Sequence, residues 1–476
     1  MSHLRATPNK ETTLAAFRSE FQSMRHMRRE DAMKARRAFI TDPIDNIPVF
    51  DTTRDVIQIC DQLLSGNLTL IEPLRKCLCE DSAICDILIQ KNVTPFLLLQ
   101  MKNNNDYKIA MNVLRYFVDF TALNNVCAEA TVASGFINVV PNLVQSKDIG
   151  LTYYTFLVLS NLCCNPSTKL KVAELNVLQI VTTIQSMISN EYLNEIMLFL
   201  LRELCNTNPI LNKDFIQPIT VFFLSVLEHV TENFNTDFLS NILSGLSYIS
   251  GSKLYQLVDN TRFFKVILPY CKDAEVATHA LTFVNNIIAN DENAVLLLIN
   301  LGLFEYLTEA FDTLDKYTYI LKVLSNLSTF SLPEVHKTLI SSSLIPHVFD
   351  LLQNGSLKDN SLLEAHWTIA NYVYTKDEES LAFIVQHYKV VEVLAIIIQT
   401  YVDSDAMKRC VAIALMALIN VLKFSEKVDF DPLSILDTFF FEDLLEQLSS
   451  NSTDRTVQKR SQYILDHYYI YEDDEM

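Results

Sequence analysis

Apolar residues recur along this chain at spacings of three and four, with almost no strict alternation, from about residue 48 to about residue 470. That period is helical, so the body of the chain reads as all-α. A longer rhythm lies over the helical one. An apolar run ends in Leu, Val or Ile, then any residue, then Asn, then another apolar residue. The copies are VLSNLCC around Asn161, FVNNIIA around Asn286, VLSNLST around Asn326, TIANYVY around Asn371 and ALINVLK around Asn420. Weaker copies carry Asp119, Glu203 and Tyr248 at the same place. From Asp119 to Asn420 the successive intervals are 42, 42, 45, 38, 40, 45 and 49 residues. A second marker keeps step with the first. QKNVTPFLLLQM, ASGFINVVPNLV, NLGLFEYLTEAF and SSSLIPHVFDLL each begin a helix after a small or polar turn residue. In two of them Pro falls in the opening turn, where its missing N–H costs little.

A period near about 42 residues belongs to armadillo or HEAT repeats. Units that cannot bury their apolar faces alone stack on their neighbours. The fold expected is therefore all-α, an armadillo-repeat right-handed superhelical solenoid with a basic helical segment before it. Residues 1–45 form the basic segment, 46–440 the repeats, and 441–476 a C-terminal helical cap with an acidic tail. The recurring Asn has two readings. Its amide either bonds the backbone of the neighbouring repeat and fixes the stacking, or lines a groove and bonds the N–H and C=O of an extended peptide. Five Asn at one register favour the groove.

Composition narrows the function. The chain has 476 residues, 49% of them hydrophobic, and only 7 Gly, so phosphate-cradling loops should be scarce. Its net charge is −19. Residues 1–40 carry +5 and the rest −24. A body that acidic repels nucleic-acid phosphates and attracts basic proteins. The 10 Cys show no disulfide framework and no metal-ligand spacing, and most lie in apolar runs. No apolar run reaches the length of a membrane span and no signal-peptide core is present, so the expectation is a soluble intracellular protein without membrane insertion. No nucleophile elbow, Gly-rich phosphate loop or metal-spaced His/Cys set points to an enzyme, and no cofactor or metal is expected.

The basic segment is helical by pattern. Leu14, Phe17, Phe21 and Met24 form an apolar stripe, and Arg18, Arg25, Arg29 and Arg36 fall on a neighbouring one. Arg28, Lys34 and Arg37 add to its charge. A solvated helix without a partner is the plain alternative. Nucleic acid or a membrane is a poorer partner, because the acidic body opposes both.

The repeat phasing, together with both termini, resembles importin alpha, the adaptor of nuclear import, over roughly residues 18 to 476. That family repeats Trp-x-x-x-Asn along its groove. EAHWTIANYV (364–373), ALINVLKFSE, LLRELCNTNP and GLSYIS are similar to its repeats in the right order. VQKRSQYILDHYY is similar to its last helix, and MRHMRREDAMKARRAFI to the end of its importin-beta-binding segment. The resemblance implies an adaptor that binds Lys/Arg-rich signals of cargo proteins and links them to importin beta through Arg18, Arg25, Arg28, Arg29, Lys34, Arg36 and Arg37. It also implies a nuclear export receptor bound at the C-terminal region, shuttling between cytoplasm and nucleus, and self-inhibition by the KARR stretch at 34–37.

Residue by residue, the resemblance divides the groove. At the major cargo site the family's three Trp/Asn pairs become Arg115/Asp119, Leu157/Asn161 and Phe199/Glu203, and its following Asp becomes Asn165. Only Phe199 remains there as an aromatic wall. The minor site keeps Asn286, Asn326 and Asn371, with Trp367 in place and Glu364 one turn before it. Asp291 and Glu292 match an acidic pair, while Lys322 replaces a Trp. The alternative function is a generic armadillo or HEAT scaffold without signal recognition, for which the basic segment has no use.

Overall fold

The structure is a computed structural model describing residues 53–469, apart from short stretches at 81–83, 105, 188–190, 207–208, 230–235, 253–255, 257–259, 315–316, 331 and 375–377. The seven cations assigned to importin-beta binding, the KARR stretch and the acidic tail lie outside the described residues. All regular elements among the described residues are helices, with no strand. The chain divides between Phe263 and Phe264 into two compact units, a division that the sequence pattern does not announce.

Each unit is built from short helices followed by one long, deeply buried helix per repeat. These long helices are Ile71–Glu80 (α1), Tyr107–Leu123 (α2), Ile149–Cys163 (α3), Glu191–Cys205 (α4) and Thr236–Gly251 (α5) in the first unit. In the second they are Ala277–Asn290 (α6), Tyr317–Leu327 (α7), Asp359–Tyr374 (α8), Lys408–Ser425 (α9) and Arg455–Tyr468 (α10). Within each unit the long helices pack side by side in chain order. Two further helices precede most of them: Glu292–Asn300 and Leu303–Thr313 precede α7, and Pro333–Ser341 and Leu344–Gln353 precede α8. The repeat of α5 departs from this, because one helix, Lys213–Glu228, replaces the pair. Pro432–Asp437 and Phe441–Asn451 lead into α10, so the C-terminal helices repeat the same three-helix plan. This gives an all-α stack of tandem helical repeats within each unit.

Local chemistry explains the helix starts. Asp106, Asn124, Asp148, Asn165, Asn212, Asp291, Asp431 and Asp454 stand at N-caps, where each side chain accepts a backbone N–H from the first turn. Part of the acidic charge is thus committed to capping. The turn between the two short helices is equally regular. Its last residue is left-handed in six repeats: Asn92, Gly135, Asn176, Gly302, Ser343 and Phe440, with φ of 54, 89, 50, 91, 61 and 52°. Four of these are the small or polar residues that open the second sequence marker. Gly and Asn adopt that conformation readily, but a bulky aromatic does not.

Burial is also regular. α9 buries twelve of its residues, among them Cys410, Leu415 and Asn420. Buried thiols follow suit: burial pushes Cys60 up to about 11 and Cys271 to about 12. Among the described residues, one buried cation is held by carbonyl oxygens. Lys169 has its ammonium on the carbonyls of Asn206 and Pro209, and burial pushes its pKa down. It ties the helix Pro166–Ala173 to the loop after α4.

Phe440 is 78% exposed, so its ring gains little from packing in return for its backbone strain. Replacing it by Asn should raise stability by about 1 kcal/mol. Chemical denaturation checks this: an unchanged or lower midpoint would show that contacts of the ring outweigh the strain.

Candidate functional site

Four Asn of the register reach backward, toward the helix before. Asn161, on α3, is 1% exposed and donates through Nδ2 to the Val118 carbonyl at 3.1 Å and to Thr121 Oγ1 at 3.3 Å, both on α2. Asn371, on α8, donates to the Ser325 carbonyl of α7 at 3.3 Å. Asn420, on α9, donates to the carbonyls of Val373 and Tyr374 at 3.2 and 3.0 Å. Asn326, on α7, donates at 2.7 Å to Oδ1 of Asn285 on α6. Of the two readings of the Asn series, the stacking ladder is the one these amides realise. A buried amide that bonds a neighbouring carbonyl is satisfied and at the same time fixes the rotation of one helix against the next.

The second unit brings its predicted residues onto three adjacent helices. Asn286 is half-buried on α6, and Asn326 is half-buried on α7. Glu364, Trp367 and Asn371 are buried together along one stretch of α8, with the Trp367 indole 3% exposed. Asn285, next to the Asn286 of the sequence pattern, accepts from the Asn326 amide. Lys322 holds its ammonium 5.1 Å from the centre of the Tyr319 ring. Asp291 is not simply an acceptor for a cationic ligand: its Oδ1 caps the helix Glu292–Asn300 by accepting from the Asn293 and Ala294 N–H groups.

The first unit is arranged differently. Asp119 is fully buried and lies against Arg75 of α1, with Nε to Oδ2 at 2.9 Å, a charge contact rather than an aligned hydrogen bond. Arg75 also reaches Glu72 at 3.2 Å. Glu203 is buried and takes two hydrogen bonds from Arg202. The expectation that Phe199 stands open as an aromatic wall is corrected, because the Arg202 guanidinium lies 4.2 Å above its ring. Asn165 is buried at an N-cap, accepting from the Ser167 N–H and donating to the Asn125 carbonyl at 3.2 Å. Where a carboxylate replaces the ladder amide, an Arg of the chain itself supplies the opposite charge. The sequence showed Arg202 beside Glu203 but gave no sign that the two side chains close on each other.

His366 adjoins this register on α8. It is buried against Tyr401, Nδ1 to hydroxyl 3.0 Å, at the floor of an open groove of about 630 Å³ lined also by Leu362, Glu392 and Ile396. Burial lowers its pKa to about 4.

No protein-family model matches this sequence, and no curated protein does. Its fold is similar to that of an engineered protein whose crystal structure was determined by the Northeast Structural Genomics Consortium. The two share 15% identity over 87% of this chain and 98% of the other, with a TM-score of 0.68. At that identity the likeness is one of fold.

Two measurements follow from this geometry. Asn161→Ala should cost about 1–3 kcal/mol of stability, because it removes from a buried site the two inter-helix bonds to the Val118 carbonyl and Thr121 Oγ1. An unchanged unfolding midpoint would show the ladder amide to be dispensable. His366 is neutral in the fold well below its ordinary value of 6.5, so its contribution to stability is complete above pH 6.5 and lost as pH falls toward 4. His366→Gln should remove roughly 3 kcal/mol of the stability loss between pH 7 and pH 4. Equal acid sensitivity of the two proteins would mean that His366 does not titrate across unfolding.

Proposed function

We propose that this chain is a nuclear-import adaptor of the importin-alpha kind. Its repeats form an armadillo right-handed superhelix, and the second unit receives the Lys/Arg-rich signals of cargo proteins. One observation carries the reading: Asn286, Asn326 and the Glu364–Trp367–Asn371 group stand at one register on α6, α7 and α8, in a body of net charge −24 that follows a basic segment of +5. An extended cationic peptide needs an aromatic flank for its aliphatic stems and carboxylates for its heads. Trp367 and Glu364 are of those kinds; both are buried, 3 and 6% exposed, so binding requires that α8 expose them to the peptide. The basic segment then serves importin beta, and the C-terminal region an export receptor, with shuttling between cytoplasm and nucleus. The scaffold reading keeps one observation of its own, the commitment of the Asn161, Asn371 and Asn420 amides to stacking.

Calorimetry of the full chain with a Lys-rich signal peptide decides between them. Binding should weaken steeply with salt, because exposed charges are screened over about 10 Å at 0.1 M. Trp367→Ala should cost about 1–3 kcal/mol of binding. Importin beta should be retained by the unaltered chain and lost when Arg28 and Arg29 are reversed to Glu. Binding of neither partner under any salt condition would leave the scaffold reading in its place.

A further inference from the structure

The guanidinium of Arg202 sits in a place built for a cation. Its Cζ lies 4.2 Å from the centre of the Phe199 ring. Its Nε and Nη2 donate to Glu203 Oε1 at 2.9 and 2.6 Å, and its Nη1 donates to Asn241 Oδ1 at 2.8 Å. Ring face, carboxylate and amide oxygen are the groups that hold the Lys or Arg of a bound peptide. They come from two adjacent helices, Phe199 and Glu203 from α4 and Asn241 from α5. Gly245 lets α5 close on the helix Lys213–Glu228, since a Cβ there would meet Phe223 Cε2 at 2.6 Å, whereas the Arg202 Cα of α4 would stand at an ordinary 3.5 Å. Glu203 and Asn241 are 1 and 6% exposed, so their oxygens meet the guanidinium and almost no water. Phe199 and Glu203 hold in α4 the places that Trp367 and Asn371 hold in α8.

We propose that Arg202 is a resident cation in a cation-binding position of the first unit, which closes that position to the Lys and Arg side chains of a partner and directs cationic peptides to the second unit. The inference rests on the basic-peptide reading of the repeats. A neighbouring arrangement has the same sense: Arg115 of α2 donates from Nε to the Tyr154 hydroxyl at 3.2 Å, with Cζ 5.3 Å from that ring. With Arg75 on Asp119, both register carboxylates of this unit are already matched by internal guanidinium groups.

The test uses the full chain with Arg202→Ala. A second variant, Arg202→Ala with Glu203→Gln, avoids leaving a buried carboxylate alone and serves where the first fails to fold. Methylguanidinium chloride, titrated at constant ionic strength, should raise the melting temperature of the variants and not of the unaltered protein. Adding Phe199→Ala should abolish that rise. In a Trp367→Ala, Asn371→Ala background, a Lys-rich peptide should bind at least tenfold more tightly once Arg202 is removed, by calorimetry. Absence of the methylguanidinium rescue overturns the resident-cation assignment. Rescue without any gain in peptide affinity overturns its role in excluding peptides. Failure of the basic-peptide reading shows separately, as no peptide binding to the unaltered chain, and the methylguanidinium result stands apart from it.

Discussion

A polar side chain on one long helix donating to a carbonyl of the long helix before it is the contact on which the stacking rests. Apolar packing alone would leave adjacent helices free to slide and rotate, since it is not directional. The amides of Asn161, Asn371 and Asn420 each reach a main-chain carbonyl of the long helix before. Each fixes one helix to the next at one rotation. The helices that carry them place the remaining register residues, including Trp367 and Glu364, on the same row.

Two repeats carry a carboxylate at this place, Asp119 paired with a cation of the helix before it and Glu203 with one of its own helix. Asp119 and Glu203 cannot donate, so a cation must come to them, and Arg75 and Arg202 do so. Removing either partner of such a buried pair strands the other, which is far costlier than losing a surface ion pair. The two units consequently differ in what their register rows offer. In the second, amides and an indole follow one another along α6 to α8; in the first, the amide of Asn161 stands between two places filled by ion pairs, with guanidinium groups on neighbouring rings.

The helical content, the repeat period and the inter-helix turns were legible in the sequence because they depend on local chemistry. Asn92, Gly135, Gly302 and Ser343 mark turns whose positive φ those residue types tolerate, and the apolar spacing identifies the buried face. Phe440 was not legible as such a residue, since nothing in an aromatic side chain signals a left-handed backbone. Register showed which face Asn161 occupies, but not whether its amide turns to solvent or to α2, because that depends on where the neighbouring carbonyl falls. The same gap separates Asn285 from Asn286, adjacent residues of which only packing selects the partner of Asn326. The division after Phe263 follows the repeat of Tyr248, whose ring has no amide to hand back, and the repeat in which Lys213–Glu228 stands as a single helix. The seven basic residues ahead of the repeats were legible as a charge break alone.

The Arg75–Asp119 contact works as a ratchet on the sequence. From a ladder amide, the carboxylate form is reached only if a cation is at hand within the stack. Once both are in place, neither changes freely: Asp119→Asn leaves a guanidinium that is 1% exposed with Glu72 alone as counter-charge, and loss of Arg75 leaves a fully buried carboxylate. A return to Asn therefore requires two substitutions on different helices, with an unstable intermediate between them. A position that is elsewhere one interchangeable rung becomes here, through the charge of a single side chain, one that a single substitution cannot readily alter.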